Sequence, residues 1–196
     1  MDIVPLFANY LAFDQLNLSN RRDLANFCRK QVEIDKLKIN DNVSQSLFID
    51  PKEPLIEELG KEINKRFDWL HKERNFNDKW EQRIQKFWIN INNNINISTP
   101  HRHPESFFSA VYYPDVGDSP GSITFLNPNN QLSYVITPEM VEKYDEFNAA
   151  SQAIIPQTDM LIIFPSWLWH FVNHEIDPTG ERISIAFDSM IVNKDD

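Results

Sequence analysis

The apolar side chains of this chain change their spacing once, near residue 86, and that change limits what it can fold into. Before it, they recur every three to four positions, the period of a helix; after it they recur at every second position, the period of a strand. Leu24, Phe27, Cys28 and Val32 share a helical face, with Asn20 placed to cap it and Asp23 near its positive end. A second helix starts around residues 50–54, where Asp50, Pro51 and Glu53 are start signals. It lines up Leu55, Ile56, Leu59, Ile63, Phe67 and Leu70 as an apolar stripe that must pack on something. From there on Phe87, Ile89 and Ile91 alternate with Trp88, Asn90 and Asn92, and the pattern resumes through Ile95 and Ile97. Runs at 107–113, 122–126, 160–164 and 182–192 are rich in β-branched and aromatic residues. Turn signals at 115–121, 127–130 and 177–180 separate them. Residues 3–13 read as an opening strand that Pro5 confines to an edge. Pro138, Glu139 and Glu142 predict a short helix inserted between strands, lid-like, over 137–150. The expectation is a mainly β chain with N-terminal helices, a sandwich or barrel of jelly-roll kind. Its 196 residues form one domain, with a helical support over 1–85 and the β core over 86–196.

Bulk properties narrow the function. A chain this long buries roughly 70% of its unfolded surface, so disulfides and structural metal are not needed for stability. Four glycines and no GxGxxG or P-loop pattern argue against a nucleotide fold. The net charge of −10 works against nucleic-acid binding, which rests on Lys and Arg neutralising phosphates. Basic residues do gather at 61–86, but they alternate with Glu and Asp, as on a solvated helix face. Cys28 stands alone among Leu24, Phe27 and Val32, which predicts a buried, inert thiol and a reducing compartment. The opening MDIVPLFANYLAF has neither the basic start nor the apolar run of a signal peptide. No apolar stretch is long enough to span a bilayer. The chain therefore reads as a cytoplasmic protein with no membrane and no nucleic-acid partner.

Three of the five histidines stand in telling places. His101 and His103 alternate in HRHPES between two strands, and in an extended chain residues i and i+2 face the same way. His170 ends the apolar run MLIIFPSWLWH. Neutral imidazole suits first-row transition metals, so the pair and the distant His form a candidate metal site. By itself an HxH spacing beside Pro100 and Pro104 is also what an exposed turn would show. Further along, Arg182 and Ser184 share one face of the strand in ERISIAFD. A guanidinium fork and a hydroxyl together suit a carboxylate. His71, in the charged helix, is expected to face solvent, and His174 to face away or line a rim.

These segments resemble a family of 2-oxoglutarate- and iron-dependent oxygenases, many of them from marine bacteria and their phages. The family pattern is HxHPxS leading into SGVYY, then FPSWLxHxV, then ERISISFN; here the chain reads HRHPESFFSAVYYP, FPSWLWHFV and ERISIAFD. IVPLF, FWINI and the spacing from Pro156 to Pro165 are also similar, with Ala110 where the family has Gly. The resemblance implies a double-stranded β-helix of the cupin kind, with Fe(II), 2-oxoglutarate and O2 as cofactor and co-substrates. It implies a dioxygenase, in the host cytoplasm if phage-encoded, that hydroxylates an unidentified substrate, a peptide residue such as proline or a small metabolite. His101, His103 and His170 would hold iron, and Arg182 and Ser184 the distal carboxylate of 2-oxoglutarate. The wider superfamily uses His-x-Asp or His-x-Glu, so His103 with Glu105 is the alternative pairing.

Tyr112 and Tyr113 point to opposite faces, so one of them faces the co-substrate. Asn90, Asn92 and Trp169 are candidate pocket residues. Two other readings stay open: a cupin-like metal-binding protein without oxygenase activity, and a metal dioxygenase that needs no 2-oxoglutarate. The aromatic-rich N-terminal third has two places to pack, its own barrel or a second copy's, so a homodimer also stays open.

Overall fold

The computed structural model describes residues 2, 8–39, 49–92, 98–129, 137–145, 147–173 and 181–195. Expectations for residues 3–7, Ile95, Ile97, His174 and the turn at 177–180 lie outside them. Two helices, α1 (Arg21–Ile39) and α2 (Pro54–Glu73), precede most of the strands. The strands are β1 (Ala12–Gln15), β2 (Trp80–Asn92), β3 (Phe108–Val116), β4 (Ile123–Leu126), β5 (Ser151–Ile154), β6 (Met160–Pro165), β7 (His170–Val172) and β8 (Arg182–Asn193). They form a five-stranded sheet, ordered β1-β6-β3-β8-β2, and a three-stranded sheet, ordered β5-β4-β7, with every pairing antiparallel. Mainly β with two N-terminal helices, this is the fold class that the alternation predicts.

The period of two sorts side chains between two cores. Odd-numbered β2 and β8 residues, Ile89, Ile183, Ile185 and Phe187, pack with Phe108, Ala110 and Tyr112 of β3 against the helices. There they meet the α2 stripe of Ile56, Leu59, Ile63, Phe67 and Leu70, all buried. The alternate residues face the smaller sheet, where Tyr113, Ile123, Phe125, Ile162, Phe164 and Leu168 form a second core. Helices on one face and a sheet on the other explain why β8 is buried from Arg182 through Ser189. No helix among the described residues is long and apolar enough to cross a membrane.

Several expectations need correction. β2 begins at Trp80, so the boundary drawn at residue 86 cuts a strand. The charges Glu81, Arg83 and Lys86 and a bulge between Ile84 and Lys86 obscure its period. For the same reason the 61–86 stretch is not one helix face: α2 ends at Glu73. Of the described residues expected in the opening strand, Ala12 and Phe13 are in strand, at the start of β1, which lies on the sheet edge. Among the described residues of 137–150, a turn of 3-10 helix, Pro138–Met140, stands in place of the expected helical lid. Asp145 Oδ1 accepts the backbone N–H groups of Phe147 and Asn148, and Asn148 Oδ1 accepts that of Asp145, so local side-chain bonds replace helical ones. His71 is buried, not solvent-facing: its Nε2 donates to the Asn77 carbonyl (3.2 Å) and its Nδ1 accepts from Gln82 (3.4 Å).

Candidate metal centre and carboxylate pocket

His170 opens β7, and the backbone at His101 pairs with it as an isolated antiparallel bridge, through reciprocal N–H to carbonyl bonds of 2.9 Å. The His103 N–H donates to the Ser166 carbonyl (2.9 Å), just beyond β6. Residues from three loops and strand ends are thereby brought together. One ring nitrogen from each of His101, His103 and His170 lies within 4.8 Å of the others. Phe164 and Phe125 pack around His170, and Trp88 stacks on His103 at 5.5 Å between centroids.

Hydrogen bonds decide which nitrogens are free. His101 Nδ1 lies 2.8 Å from the Thr99 carbonyl, and His170 Nδ1 lies 2.9 Å from that of Leu168. His103 Nδ1 lies 2.8 Å from Asp188 Oδ2. Carbonyls and carboxylates only accept, so each Nδ1 carries the proton and each Nε2 keeps a lone pair for a metal. His103 Nε2 is buried without any hydrogen-bond partner among the described residues, an unmet need that a cation would satisfy. Burial pushes His170 down to about 4, assisted by the neighbouring rings of His101 and His103 and opposed by the Leu168 carbonyl. Its imidazole is therefore neutral at pH 7, the form that binds metal. The donor set fits a first-row transition metal ion.

Below the three imidazoles runs a cavity of about 390 Å³, lined by Trp88, Asn90, Asn92, Tyr113, Arg182, Ser184 and Asp188 among others. The even-numbered residues of β8 supply its long wall. Asn90 lies opposite Ser184 and Asn92 opposite Arg182 across the β2–β8 pair. Arg182 Nη1 donates to the Pro120 carbonyl (3.1 Å), while its buried Nε has no partner among the described residues. Burial lowers the guanidinium's pKa from its ordinary value, against the pull of Tyr113, but a guanidinium stays charged at neutral pH. No carboxylate among the described residues pairs with it; Glu181 instead binds Arg29 at 2.7 Å. An almost fully buried cation that lines a cavity, with no carboxylate paired to it among the described residues, calls for an anion. Burial also pushes the Tyr113 phenol up to about 12, so it stays protonated beside that cation. A second depression of similar volume, between β1 and α2 around Phe13 and Trp69, gathers no comparable set of donors.

Not every candidate from the sequence is brought to the site. Tyr112 belongs to the helix-side core and donates to Asp159 Oδ1 (2.6 Å), because alternation sends it to the opposite face from Tyr113. Glu105 is exposed in a turn with φ of 66° and is not part of the ligand group. Trp169 is half-exposed at the rim, where the Arg102 guanidinium lies 5.4 Å from its ring centre, and it does not line the cavity. Conversely, three polar residues that the sequence reading passed over lie behind His103. Asp188 Oδ1 accepts from Ser109 Oγ (2.7 Å), and Ser109 lies 2.9 Å from Ser166 Oγ. Asp188 was legible: it continues the face of Arg182, Ser184 and Ala186 at intervals of two. Ser109 and Ser166 carry no such signal.

None of the curated proteins matches the sequence. Among solved structures, a Pseudomonas putida prolyl-4-hydroxylase superposes with a TM-score of 0.60 at 15% identity, covering 93% of each chain. The epimerase SnoN, in complex with Fe3+, alpha ketoglutarate and nogalamycin RO, gives 0.62 at 13% identity, covering 94% of this chain and 81% of its own. A 2OG-Fe(II) oxygenase family protein from Burkholderia pseudomallei gives 0.50 at 15% identity; 70% of this chain is covered, but only 57% of the Burkholderia chain. At these identities the likeness is one of fold, the double-stranded β-helix of 2-oxoglutarate oxygenases. A sequence-family model described as "Putative 2OG-Fe(II) oxygenase" matches residues 86–188, which is over half of the chain and includes all three histidines and Arg182. The chain belongs to this 2OG-Fe(II) oxygenase family, whose cofactors are Fe(II) and 2-oxoglutarate.

Proposed function

We propose that this chain is a 2-oxoglutarate-dependent dioxygenase that holds Fe(II) through Nε2 of His101, His103 and His170 and hydroxylates a peptide residue such as proline or a small metabolite. The observation that carries the reading is the pairing, in one cavity, of three converging imidazoles with a buried guanidinium whose Nε is free. When bound, Fe(II) supplies O2 activation coupled to decarboxylation of 2-oxoglutarate to succinate and carbon dioxide, with one oxygen atom going to the substrate and one to succinate. The rest is binding and positioning by the chain. Arg182 and Ser184 hold the distal carboxylate of 2-oxoglutarate, the guanidinium giving a charge-assisted bond and the hydroxyl a second donor. Tyr113 closes the wall beside them and excludes water. Trp88 fixes the plane of the His103 ring, and Asn90 and Asn92 line the cavity with their amides. The fold serves both substrate classes: one structural neighbour is a prolyl-4-hydroxylase and another an epimerase bound to nogalamycin RO.

Anaerobic titration of the Fe(II)-loaded protein with 2-oxoglutarate tests the reading through the visible metal-to-ligand charge-transfer band. A saturable band is expected, absent in His170→Ala. In Arg182→Ala it should need about 10- to 100-fold more 2-oxoglutarate, because a hydrogen bond to a charged group is worth about 1.5–3 kcal/mol. Equal affinity in wild type and variant would remove Arg182 from its role. Stoichiometric iron with no band would select the dioxygenase that needs no 2-oxoglutarate.

A further inference from the structure

Three neutral imidazoles leave the double charge of a divalent cation uncompensated by the protein. The commoner ligand set for non-haem Fe(II), two His and one carboxylate, supplies one negative charge directly. Among the described residues the group of converging ligands contains no carboxylate, and Glu105, exposed in its turn, is not part of it. A carboxylate is nevertheless present, one bond further out. Asp188 is completely buried, and its Oδ2 accepts the Nδ1 proton of His103 at 2.8 Å.

Everything around Asp188 holds it in that position. Its other oxygen accepts the Ser109 hydroxyl at 2.7 Å. With that proton committed, the Ser166 hydroxyl donates in turn to Ser109 (2.9 Å). The Ser166 carbonyl holds the His103 backbone N–H, so ring and main chain of one residue are tied to the same polar cluster. Lys86 Nζ approaches Oδ2 to 3.4 Å, but its side chain is about half-exposed and water screens it. Among the described residues, His101 and His170 have neutral backbone carbonyls behind their rings. The carboxylate is thus placed behind one ligand of three. It also lies on the same face of β8 as Arg182 and Ser184, so one strand would serve the iron at one end and the co-substrate at the other.

We propose that Asp188 is a positioning residue that delivers, through the His103 ring, the negative charge the three-histidine set lacks, fixing which nitrogen faces the metal and making it a stronger donor. This rests on the reading of the three histidines as an iron site. The physical basis is that a carboxylate accepting the far N–H of a metal-bound His raises that ligand's basicity, and its loss typically costs 10- to 100-fold in metal affinity. A negative charge near the iron also favours the ferric over the ferrous state, so it lowers the reduction potential.

The test is Fe(II) affinity by anaerobic chelator competition, and the Fe(III)/Fe(II) potential of the bound ion, in wild type, Asp188→Asn and His170→Ala. Asp188→Asn keeps the shape, and its amide oxygen can still accept from His103, so mainly the charge is removed. The expected result is iron held about 10- to 100-fold more weakly and a raised potential, with the metal-free melting temperature close to wild type. Affinity within twofold of wild type and an unmoved potential would overturn the proposal and leave Asp188 a structural residue. If wild type and His170→Ala bind iron equally, the iron site itself fails and the proposal with it, a result distinct from a failure of Asp188 alone. A variant that does not fold leaves a second measurement on the wild type. Labelled with 15N-histidine and loaded with cobalt(II), it must show His103 protonated at Nδ1; a deprotonated or metal-bound Nδ1 overturns the proposal.

Discussion

Each imidazole of the candidate centre is held by a bond on its Nδ1 side, so its ligand nitrogen is chosen before any ion arrives. Pre-set rings lose little freedom on binding, which favours affinity. Glu105 has no such placement, and this separates the two pairings that the HRHPES motif allows. Glu105→Ala should leave Fe(II) affinity within about twofold of wild type in a chelator competition, whereas His101→Ala should lose it. An unchanged affinity in His101→Ala together with a loss in Glu105→Ala would reverse the assignment. Cys28 is completely buried in α1, and burial pushes its thiol up to about 12, more than Arg29 lowers it. The thiolate is the reactive form, so at pH 8 the native protein should react with a charged disulfide reagent far more slowly than the same protein in denaturant. Equal rates would show that the thiol is accessible.

At the scale of elements, β8 does the most. One face carries Ile183, Ile185 and Phe187 into the helix-side core, and the other carries Arg182, Ser184 and Asp188 into the cavity. A slip of one residue in its pairing with β2 would exchange the two sets. The α2 helix packs on β2, the strand paired with β8, and Gly60 is a weak point in its middle. A Cβ at Gly60 would meet Ile84 Cδ1 at 3.7 Å, an ordinary contact, and the residue is not in a left-handed conformation. Gly60→Ala should therefore stabilise the protein by roughly 0.5–1 kcal/mol, read as a shift in the urea midpoint. A destabilised variant would mean that helix and β2 pack more closely there than the contact indicates.

For the molecule as a whole, the candidate metal centre joins parts of the chain that are far apart in sequence, since His101 and His103 lie well before His170. A ligand that binds only the folded form stabilises it by mass action. Fe(II) at about 100 times its dissociation constant should add about 2.7 kcal/mol. At about 2–4 °C per kcal/mol for a domain of this size, the anaerobic melting temperature should rise by roughly 5–11 °C. The rise should vanish in His170→Ala; a rise of equal size there would place the ion elsewhere.

Periodicity was local information, and the sequence carried it openly. Helices before most of the strands, the α2 stripe, the alternation of β8 and the HxH, WLWH and RIS segments all follow from spacings of two to four residues. Where local bonds or charges interfered, spacing misled, as at 137–150, at the start of β2 and at His71. What only the tertiary structure decided is which of these segments meet. Tyr112 and Tyr113 are equivalent as neighbours in a sequence; which one faces Arg182 depends on which side of β3 the smaller sheet covers. Asp188 becomes more than a polar residue in a strand only when β8, β3 and the HRH segment bring its carboxylate to the back of His103. The physical reason is the same in each case: the period of a segment is set by its own backbone, but a ligand set is made by long-range pairing that no single segment encodes.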